Sequence, residues 1–393
     1  MSLKAKVIGL GAAGNKAAIT LIEEKVVDPK QVVLLNTTLK DVPEKYAEYA
    51  VEFGTMKGCG KERELAQEMF VYGIENGQVN INSLMDDDDD LVIIVTSLGG
   101  GTGNGSSSPA ADYAYNILKT NVHLFAFAGF EDDAKELSNT VEWFKSLNPN
   151  YTVEVISNKK FLDDFGGNRT KAEYAANHEF AQRVRILLGN DIIPSETNID
   201  DTDLYKIATT PGFMDIETCK LSKIRSTEDF NNAIESMIMN SKSLDTEQSA
   251  KRIGVIINCS DKTREYIDES YQALKKRFGN PMELFRHYQN TSDEESLSVI
   301  VSGMKIPMDE VQDLYNKFVN QFKSVDTAKD KFFDSMTKFD TSMAANSFPG
   351  LRHKLNFKVT SKESESAQNS FFKKYSNQTN STKSATDRVK NEL

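Results

Sequence analysis

The sequence predicts an α/β protein whose mostly parallel sheet is covered by helices on both faces. Five short apolar runs in the first half of the chain each end in glycine or polar residues, and helix-like segments separate several of them. Strands that alternate with helices usually form a parallel sheet that is buried on both sides. Ligands bind such sheets at the carboxyl ends of the strands, so these polar strand ends mark a candidate site.

Composition and charge narrow the class of protein. The chain has 393 residues, of which 39% are hydrophobic and 27% charged, a balance typical of a folded protein with two or three domains. It has neither a run of about 18 apolar residues nor the apolar core of a secretion signal, so we expect no membrane span. Three separated cysteines without a CxxC pair indicate a cytoplasmic protein without structural zinc. The formal net charge of −11 disfavours nucleic-acid binding by the body of the protein.

Each strand of the first half is predicted by its own apolar run. In chain order, the runs are "AKVIGL", "KQVVLLN", "DLVIIVTS", "VHLFAFAGF" and "YTVEVIS". Helices are predicted over residues 62–72, 110–118 and 134–146, and "KAEYAANHEFAQRVRILLG" predicts a longer one that stops at Gly189. The polar strand ends should lie along one edge of the sheet. They are residues 9–15, 36–38, 99–105, 130–133 and 157–158.

A change of character near residue 209 predicts a domain boundary. "RIGVIINCS" and "SLSVIVSGMKI" are predicted as strands, and "TEDFNNAIESMIMNSK" and "REYIDESYQALKKRFG" as helices. We therefore expect a first domain over 1–208 and a smaller α/β domain over 209–307. Apolar residues at three-, four- and seven-residue steps predict a long amphipathic helix within 308–345. Residues 346–393 are predicted to be a flexible basic tail. Within it, residues 361–393 are rich in Ser, Asn, Thr and Lys and are predicted to be disordered in isolation.

The stretch "LGGGTGNG" directly follows the third apolar run. Glycine permits positive φ and a close approach of the backbone to a ligand. A helix that begins near residues 106–110, with Pro109 in its first turn, would point free N–H groups into this turn. Such a turn can hold phosphate, but one glycine-rich loop alone is equally compatible with a tight turn that binds no ligand.

A second turn, "GLGAAG", has the form G-x-G-x-x-G between a predicted strand and a predicted helix. An NAD-dependent oxidoreductase needs an acidic residue at the end of the second strand. That strand ends at Asn36, and no acidic residue lies between Asp28 and Asp41, which weakens this interpretation. The Gly-Lys pair at 60–61 precedes a glutamate, so it is not a P-loop.

The motif "GGGTGNG" resembles the tubulin signature GGGTG[ST]G, with Asn104 where that signature has Ser or Thr. Over residues 4–340 the spacing of the motifs resembles the tubulin/FtsZ superfamily of GTPases. The long terminal helix and basic tail resemble the TubZ branch, which acts in phage and plasmid segregation. The resemblance implies a nucleotide-binding domain joined by a long core helix to a second α/β domain, with GTP or GDP and Mg²⁺ as ligands.

The resemblance also assigns nucleotide-binding residues along the sheet edge. Those around the phosphates would be Gly11, Ala12, Ala13, Asn15, Asn36, Gly58, Gly60, Gly99, Gly100, Gly101, Thr102, Gly103 and Asn104. Those at the ribose and base would be Glu131, Lys135, Asn158, Tyr174 and Asn177. Asn177 would read guanine, because a carboxamide both donates and accepts. Thr38 stands where FtsZ has Asp, which leaves the handling of the metal open, and Tyr174 is displaced by one place from the FtsZ aromatic residue.

The segment "NIDDTD" matches the FtsZ spacing Asn-x-Asp-x-x-Asp and begins 21 residues after Asn177. In that family this loop enters the nucleotide pocket of the next subunit, where its acidic groups position the attacking water. The resemblance therefore implies that Asn198, Asp200 and Asp203 are catalytic and act on the neighbouring subunit's nucleotide. Taken alone, the same residues are also good helix starters before "LYKIA".

Function follows from the same resemblance. It implies a GTPase that polymerises head to tail and segregates phage or plasmid DNA. Its basic tail, residues 361–393, would recruit a DNA-binding adaptor on a centromere-like site, whereas six Lys/Arg are few for direct DNA binding. A merely solubilising tail is the alternative. A GTP-sensing structural or regulatory protein with negligible hydrolysis is the second hypothesis for the whole chain, and an NAD-dependent oxidoreductase is a weaker third.

Overall fold

The computed structural model describes residues 2–54, 58–80, 89–193, 195, 199–221, 224–245, 249–267, 271–290, 294–321 and 370–375. The strands in these ranges are β1 (Ala5–Leu10), β2 (Val32–Asn36), β3 (Ala50–Glu52), β4 (Leu91–Ser97), β5 (Asn121–Ala128), β6 (Thr152–Ser157), β7 (Gly212–Lys220), β8 (Arg252–Cys259), β9 (Glu283–Asn290) and β10 (Ser296–Met304). The helices are α1 (Gly11–Glu23), α2 (Arg63–Glu75), α3 (Thr102–Asn116), α4 (Ala134–Lys145), α5 (Asn158–Asp164), α6 (Arg169–Leu188), α7 (Asp201–Ala208), α8 (Thr227–Met239), α9 (Asp261–Ile267), α10 (Tyr271–Arg277) and α11 (Met308–Gln321).

The strands form one sheet in the order β3-β2-β1-β4-β5-β6-β7-β10-β8-β9. Pairing is parallel from β3 to β7, and β6 meets β7 through only two residue pairs. Strand β10 pairs antiparallel with both β7 and β8, and β9 pairs parallel with β8. The predicted α/β class with a mostly parallel sheet is therefore confirmed. Residue 209, the predicted domain boundary, lies between α7 and β7.

The sheet separates two apolar cores. Successive side chains of a strand point to opposite faces, so Val7 and Ile8 of β1 belong to different cores. One core contains apolar residues of α2, α3 and α4, and the other contains those of α1, α6 and α7. The helices thus cover both faces of the parallel half, as the apolar runs predict. No helix in the described ranges is long and apolar enough to cross a bilayer.

The helix predicted over 110–118 begins earlier, at Thr102, so Pro109 lies inside α3 and not in its first turn. Two glycines in the first turns explain the difference. A Cβ on Gly103 would lie 2.4 Å from Thr96 Oγ1, and one on Gly105 would lie 2.0 Å from the Arg63 carbonyl oxygen. These glycines permit α3 to pack closely on the sheet and on α2, and they do not form a loop.

Other departures are local. The structure adds β3, β7, β9 and α5, which the sequence does not predict. Within "REYIDESYQALKKRFG" the described residues are helical in α9 and α10. Helix α11 is the start of the predicted long terminal helix, whose remainder lies outside the described residues. Residues 370–375 are helical and bury Phe371 and Tyr375 against the rest of the chain, whereas the predicted disorder of the tail concerns the segment in isolation.

Candidate functional site

A cavity of about 370 Å³ opens at the carboxyl edge of the parallel strands. Its wall includes Leu10, Asn36 and Ser97, which end or nearly end β1, β2 and β4. Sites for small molecules have volumes of about 300–1,000 Å³. The edge that the sequence predicts as the binding edge is therefore the edge that carries the cavity.

Two helices begin at this cavity without a side-chain cap. Gly11, at φ +73°, turns β1 directly into α1, and Gly101, the N-cap residue before α3, has no side chain to cap that helix. The first N–H groups of a helix have no acceptor within the helix, and the helix dipole is positive at this end. The two ends meet, since a Cβ on Gly11 would lie 2.8 Å from the Gly103 nitrogen. Such a pair of helix ends suits a polyphosphate.

The glycine turn before α3 is supported from behind by two buried asparagines. Asn139 Nδ2 donates to the carbonyl oxygens of Gly99 at 3.0 Å and Gly100 at 3.3 Å. Asn104 Nδ2 donates to the carbonyls of Leu98 at 2.6 Å and Asn139 at 2.7 Å. Asn104 is fully buried, so its side chain holds the turn in place and does not line the cavity.

Substitution of Gly103 tests this packing directly. Gly103→Ala is expected to lower the free energy of unfolding by about 1–3 kcal/mol, because the core around the new methyl is already filled. That methyl would lie 2.4 Å from Thr96 Oγ1 and 2.7 Å from the Leu10 carbonyl. Gly100→Ala is the control, since its Cβ would have no atom within 4 Å. Thermal denaturation without nucleotide measures both, and equal losses would contradict the close approach.

Hydroxyl groups and a thiol join three loops at the cavity floor. Thr102 Oγ1 lies 2.9 Å from Thr37 Oγ1 and 3.0 Å from Cys59 Sγ. Burial raises the pKa of the Cys59 thiol, so the sulfur stays protonated at neutral pH and acts as a neutral hydrogen-bonding group. The cluster fixes the loop that carries Gly58 and Gly60 against the start of α3.

A charged group on the wall was missed by the sequence reasoning. Lys61 Nζ donates to Asp133 at 2.7 Å and to Glu136 at 2.9 Å. Burial disfavours the charged amine, but these two hydrogen bonds outweigh it and raise the pKa of Lys61. The hydrogen bond from Lys61 in turn lowers the pKa of Asp133. The only sequence signal is the Gly-Lys pair that fails as a P-loop.

Helix α6 supplies the other end of the cavity. Arg169, Glu173 and Asn177 lie on one face of this helix and line the wall, together with Asn158 at the start of α5. The Arg169 guanidinium lies 4.4 Å from the centre of the Phe130 ring. Asn177 and Asn158, both assigned to the site from the sequence, therefore line the same cavity. Arg169 was missed, because its position depends on how α6 packs beside the Phe130 loop.

Twelve of the predicted nucleotide-binding residues line the cavity. They are Gly11, Ala12, Ala13, Asn36, Gly58, Gly60, Gly100, Gly101, Thr102, Gly103, Asn158 and Asn177. Six others do not line it, namely Asn15, Gly99, Asn104, Glu131, Lys135 and Tyr174. Lining residues that the sequence reasoning did not assign include Lys16, Thr37, Asp41, Lys61, Glu136, Arg169 and Glu173.

Each of these six residues has other surroundings, and Asn104 is the one buried behind the glycine turn. Glu131 accepts a hydrogen bond from Lys317 of α11 at 2.5 Å, and Lys135 pairs with Glu62 at 3.2 Å. Tyr174 is 66% exposed, with its ring 4.1 Å from the ring of His178. Asn15 is buried in α1 beside Gly9, and a Cβ on Gly99 would meet Glu136. Phe130 is the aromatic residue at the wall near Arg169.

The acidic pair Asp200 and Asp203 lies at the start of α7 and forms a reciprocal cap. Asp200 Oδ1 accepts from the Asp203 nitrogen at 2.8 Å, and Asp203 Oδ2 accepts from the Asp200 nitrogen at 3.4 Å. Burial raises the pKa of Asp203, and the nearby Asp200 charge adds to this effect. The third predicted catalytic residue, Asn198, lies outside the described residues.

Helix α7 lies at the opposite edge of the sheet from the cavity. Tyr205 accepts a hydrogen bond at 2.6 Å from Asn121, the first residue of β5. Helix α6 crosses the sheet between the two edges, because its 20 residues extend from Arg169 at the cavity to Leu188, whose carbonyl binds Leu3 before β1. A helix of this length spans about 30 Å. Neither Asp200 nor Asp203 lines the cavity of its own chain.

Comparison with known proteins identifies the fold. No family model matches the chain, and no curated protein matches its sequence. The GTPγS-bound protofilament of CetZ2 from Haloferax volcanii is 18% identical with a TM-score of 0.69, covering 82% of this chain and all of that one. A GTPγS-form protofilament of TubZ from Bacillus thuringiensis serovar israelensis is 15% identical with a TM-score of 0.68, and the match covers 84% of this chain and 94% of that one. An empty FtsZ dimer from M. jannaschii is 20% identical with a TM-score of 0.60, and the match covers 77% of this chain and 89% of that one. The chain therefore has the tubulin/FtsZ fold that the sequence predicts.

Proposed function

We propose that the protein is a GTPase that assembles head to tail and that the next subunit completes the active site around each bound nucleotide. The observation that carries this proposal is the placement of the two halves of the site. The cavity opens at the carboxyl edge of the sheet, whereas Asp200 and Asp203 lie at the amino edge. End-to-end stacking of two copies is the arrangement that brings these carboxylates to a nucleotide in the cavity.

The lining of the cavity supports a guanine nucleotide as the ligand. The uncapped starts of α1 and α3 would bind the phosphates through their backbone N–H groups. Asn158 and Asn177 would bind the sugar and base, and the Asn177 carboxamide can both accept from and donate to the edge of guanine. The similar CetZ2 and TubZ structures contain GTPγS, which supports the same ligand class here.

The donors on the wall fit Mg²⁺ held mainly by the nucleotide. Mg²⁺ usually binds one or two carboxylates together with waters and substrate phosphates. Thr37, Thr102 and Asp41 line the cavity and would supply hydroxyl and carboxylate oxygens. Asp41 would provide the acidic group that FtsZ has at the position of Thr38. Within the described ranges no group of three His, Cys, Asp or Glu residues could hold a metal alone. When bound, Mg²⁺ would offset the negative charge of the phosphates.

The catalytic contribution of the chain is positioning and acceptance of a proton. Phosphoryl transfer needs an aligned water and a favourable field more than covalent help from the protein. Asp200 and Asp203 of the neighbouring copy would accept hydrogen bonds from that water. Burial raises the pKa of Asp203, so its carboxylate is more basic than that of an ordinary aspartate and better suited to accept a proton.

We also propose that the protein moves DNA in the cell. The likeness to TubZ supports filaments that move phage or plasmid DNA in the cytoplasm. Residues 361–393 would bind a DNA-binding adaptor that recognises a centromere-like site, while the acidic body keeps the protein itself off DNA.

A shared active site predicts that hydrolysis depends on protein concentration. With GTP and Mg²⁺, phosphate release per molecule is expected to increase with protein concentration and to follow assembly, because only contacting copies complete the site. Light scattering and phosphate release are recorded together over a dilution series. Turnover per molecule that does not change on dilution would refute the proposal. Assembly without phosphate release would instead support the GTP-sensing alternative.

A further inference from the structure

A buried carboxylate on α3 binds the C-terminal residues 370–375. Asp112 is 3% exposed. Its Oδ2 accepts hydrogen bonds from Lys374 Nζ and the Tyr375 hydroxyl, and its Oδ1 accepts one from the Tyr151 hydroxyl. Both oxygens are therefore engaged, and two of the three donors belong to residues 370–375.

Aromatic side chains complete this contact. Phe371 and Tyr375 are 5% and 4% exposed, and both join the core that packs on α3. The Phe371 ring meets the Tyr113 ring edge to face at 5.4 Å and lies 5.0 Å from the Tyr375 ring. We call the surface formed by Asp112, Tyr113 and Tyr151 the α3 groove. It combines an apolar wall with one carboxylate at its base.

The connection along the chain indicates a docked segment and not a fixed part of the core. Along the chain, 48 residues, 322–369, separate α11 from the docked residues. The Lys374 side chain remains 54% exposed in the contact, as expected for an ion pair at the rim of a binding groove. Charge attracts the tail to the rest of the chain, because residues 361–393 contain six Lys/Arg against four Asp/Glu, whereas the whole chain has a net charge of −11.

We propose that the α3 groove is a peptide-binding site whose occupant is the Phe-Phe-Lys-Lys-Tyr segment of the same chain. This proposal builds on the tail's assignment to an adaptor under the proposed function. The docked segment hides the two aromatic side chains and pairs the Lys374 charge with Asp112. A partner that recognises these side chains has to displace the segment from the groove, so docking holds the tail in a closed state.

Amide hydrogen exchange on the full chain, without nucleotide, measures docking separately from GTPase activity and assembly. Residues 370–375 are expected to be protected in the wild type. Lys374→Gln and Asp112→Asn are each expected to accelerate their exchange by about tenfold or more, the minimum that a lost charge-assisted hydrogen bond implies. Lys383→Gln removes the same charge elsewhere in the tail and is expected to leave the protection unchanged. Protection that is equal in the wild type and in both groove variants would overturn the proposal.

A labelled peptide, Ser-Phe-Phe-Lys-Lys-Tyr, tests the groove as a binding site. The wild type is expected to bind it weakly, because its own segment competes. The double variant Phe371→Ser, Tyr375→Ser should bind it at least tenfold more tightly, and Asp112→Asn added to that variant should remove the gain. Equal binding by all three proteins would overturn the proposal. Protection in the exchange experiment that disappears on dilution would also overturn it, because the segment would then dock on a second copy.

Discussion

Asp200→Asn is expected to lower GTP turnover by about 10²–10³-fold, the range found when one preorganised polar group of an active site is lost. GTP affinity should not change, because Asp200 lies at the sheet edge opposite the cavity of its own chain. Asparagine also caps helices well, so this substitution removes the charge without the roughly 1 kcal/mol cost of losing the cap. The proposed function implies that hydrolysis weakens the contact between subunits, so filaments of the variant should persist after GTP is added.

The adjacent Asp201 offers a matched control. Asp201 is exposed on α7 and outside the reciprocal cap, so Asp201→Asn removes the same charge one residue away. Its turnover should stay close to that of the wild type. Phosphate release and nucleotide binding, measured on the same preparations, separate the two effects. Full turnover by Asp200→Asn would move the catalytic assignment elsewhere.

Mixed filaments test whether the acidic group acts on the neighbour. Asn177→Ala is expected to bind GTP poorly, while it keeps Asp200 and Asp203. In a mixture with Asp200→Asn, each intact cavity that meets an intact acidic pair should hydrolyse GTP, so activity should exceed the sum of the separate proteins. An activity equal to that sum would contradict a site shared between subunits.

The sequence predicts the parts of the fold that are buried on both faces. Strands such as β1 and β4 are continuous apolar runs, and their parallel pairing brings their carboxyl ends to one edge. Strand β7 escapes prediction, because Asp215 and Glu217 interrupt its apolar pattern and instead bind Arg183 of α6. Strand β9, at the edge of the sheet, is only half-buried and lacks an apolar run.

The backbone of the candidate site is similarly easier to predict than its side chains. Gly11 and Gly101 are visible in the sequence as glycines that follow apolar runs. Gly11 turns the chain at φ +73°, and a Cβ on Gly101 would lie 2.7 Å from Cys59 Sγ. Lys61 and Arg169 are not visible in the sequence, since they reach the cavity only through tertiary packing beside Glu136 and Phe130. Glu131 shows the converse. Its motif predicts a sugar contact, but Lys317 of α11 binds its carboxylate.

Arg183→Met is expected to destabilise the protein by about 3–5 kcal/mol, the usual cost of removing one partner from a buried ionic cluster. Arg183 is 1% exposed and lies among four carboxylates, those of Glu154, Glu179, Asp215 and Glu217. It also donates to the Ser243 hydroxyl at 2.7 Å. Methionine fills a similar volume but leaves the buried acids without a cation. Chemical denaturation at pH 8 measures the loss.

The loss should depend on pH with a definite sign. Burial raises the pKa of Glu217 from 4.5 to about 7 against the attraction of Arg183. The folded state therefore binds this proton more tightly than the unfolded state, and the contribution of Glu217 to stability falls as pH rises from about 4.5 to about 7. Without Arg183 the cost of ionising the cluster increases, so Arg183→Met should lose more stability at pH 8 than at pH 5.

Arg185 on the same helix provides the comparison. It is partly exposed, its ion pair with Asp191 is long, at 3.6 Å, and it donates a hydrogen bond at 2.6 Å to the Glu24 carbonyl. Arg185→Met removes no buried ion pair, so it should cost less than Arg183→Met, with little dependence on pH. Equal losses in the two variants, or a loss in Arg183→Met that is the same at pH 5 and pH 8, would contradict the buried-charge account. The stability of the Arg183 cluster also bears on the geometry of the candidate GTP site. Arg183 ties α6 to β6 and β7 between Asn177 at the cavity and the acidic start of α7. Loss of this tie should therefore loosen the connection between the two halves that adjoining subunits have to align.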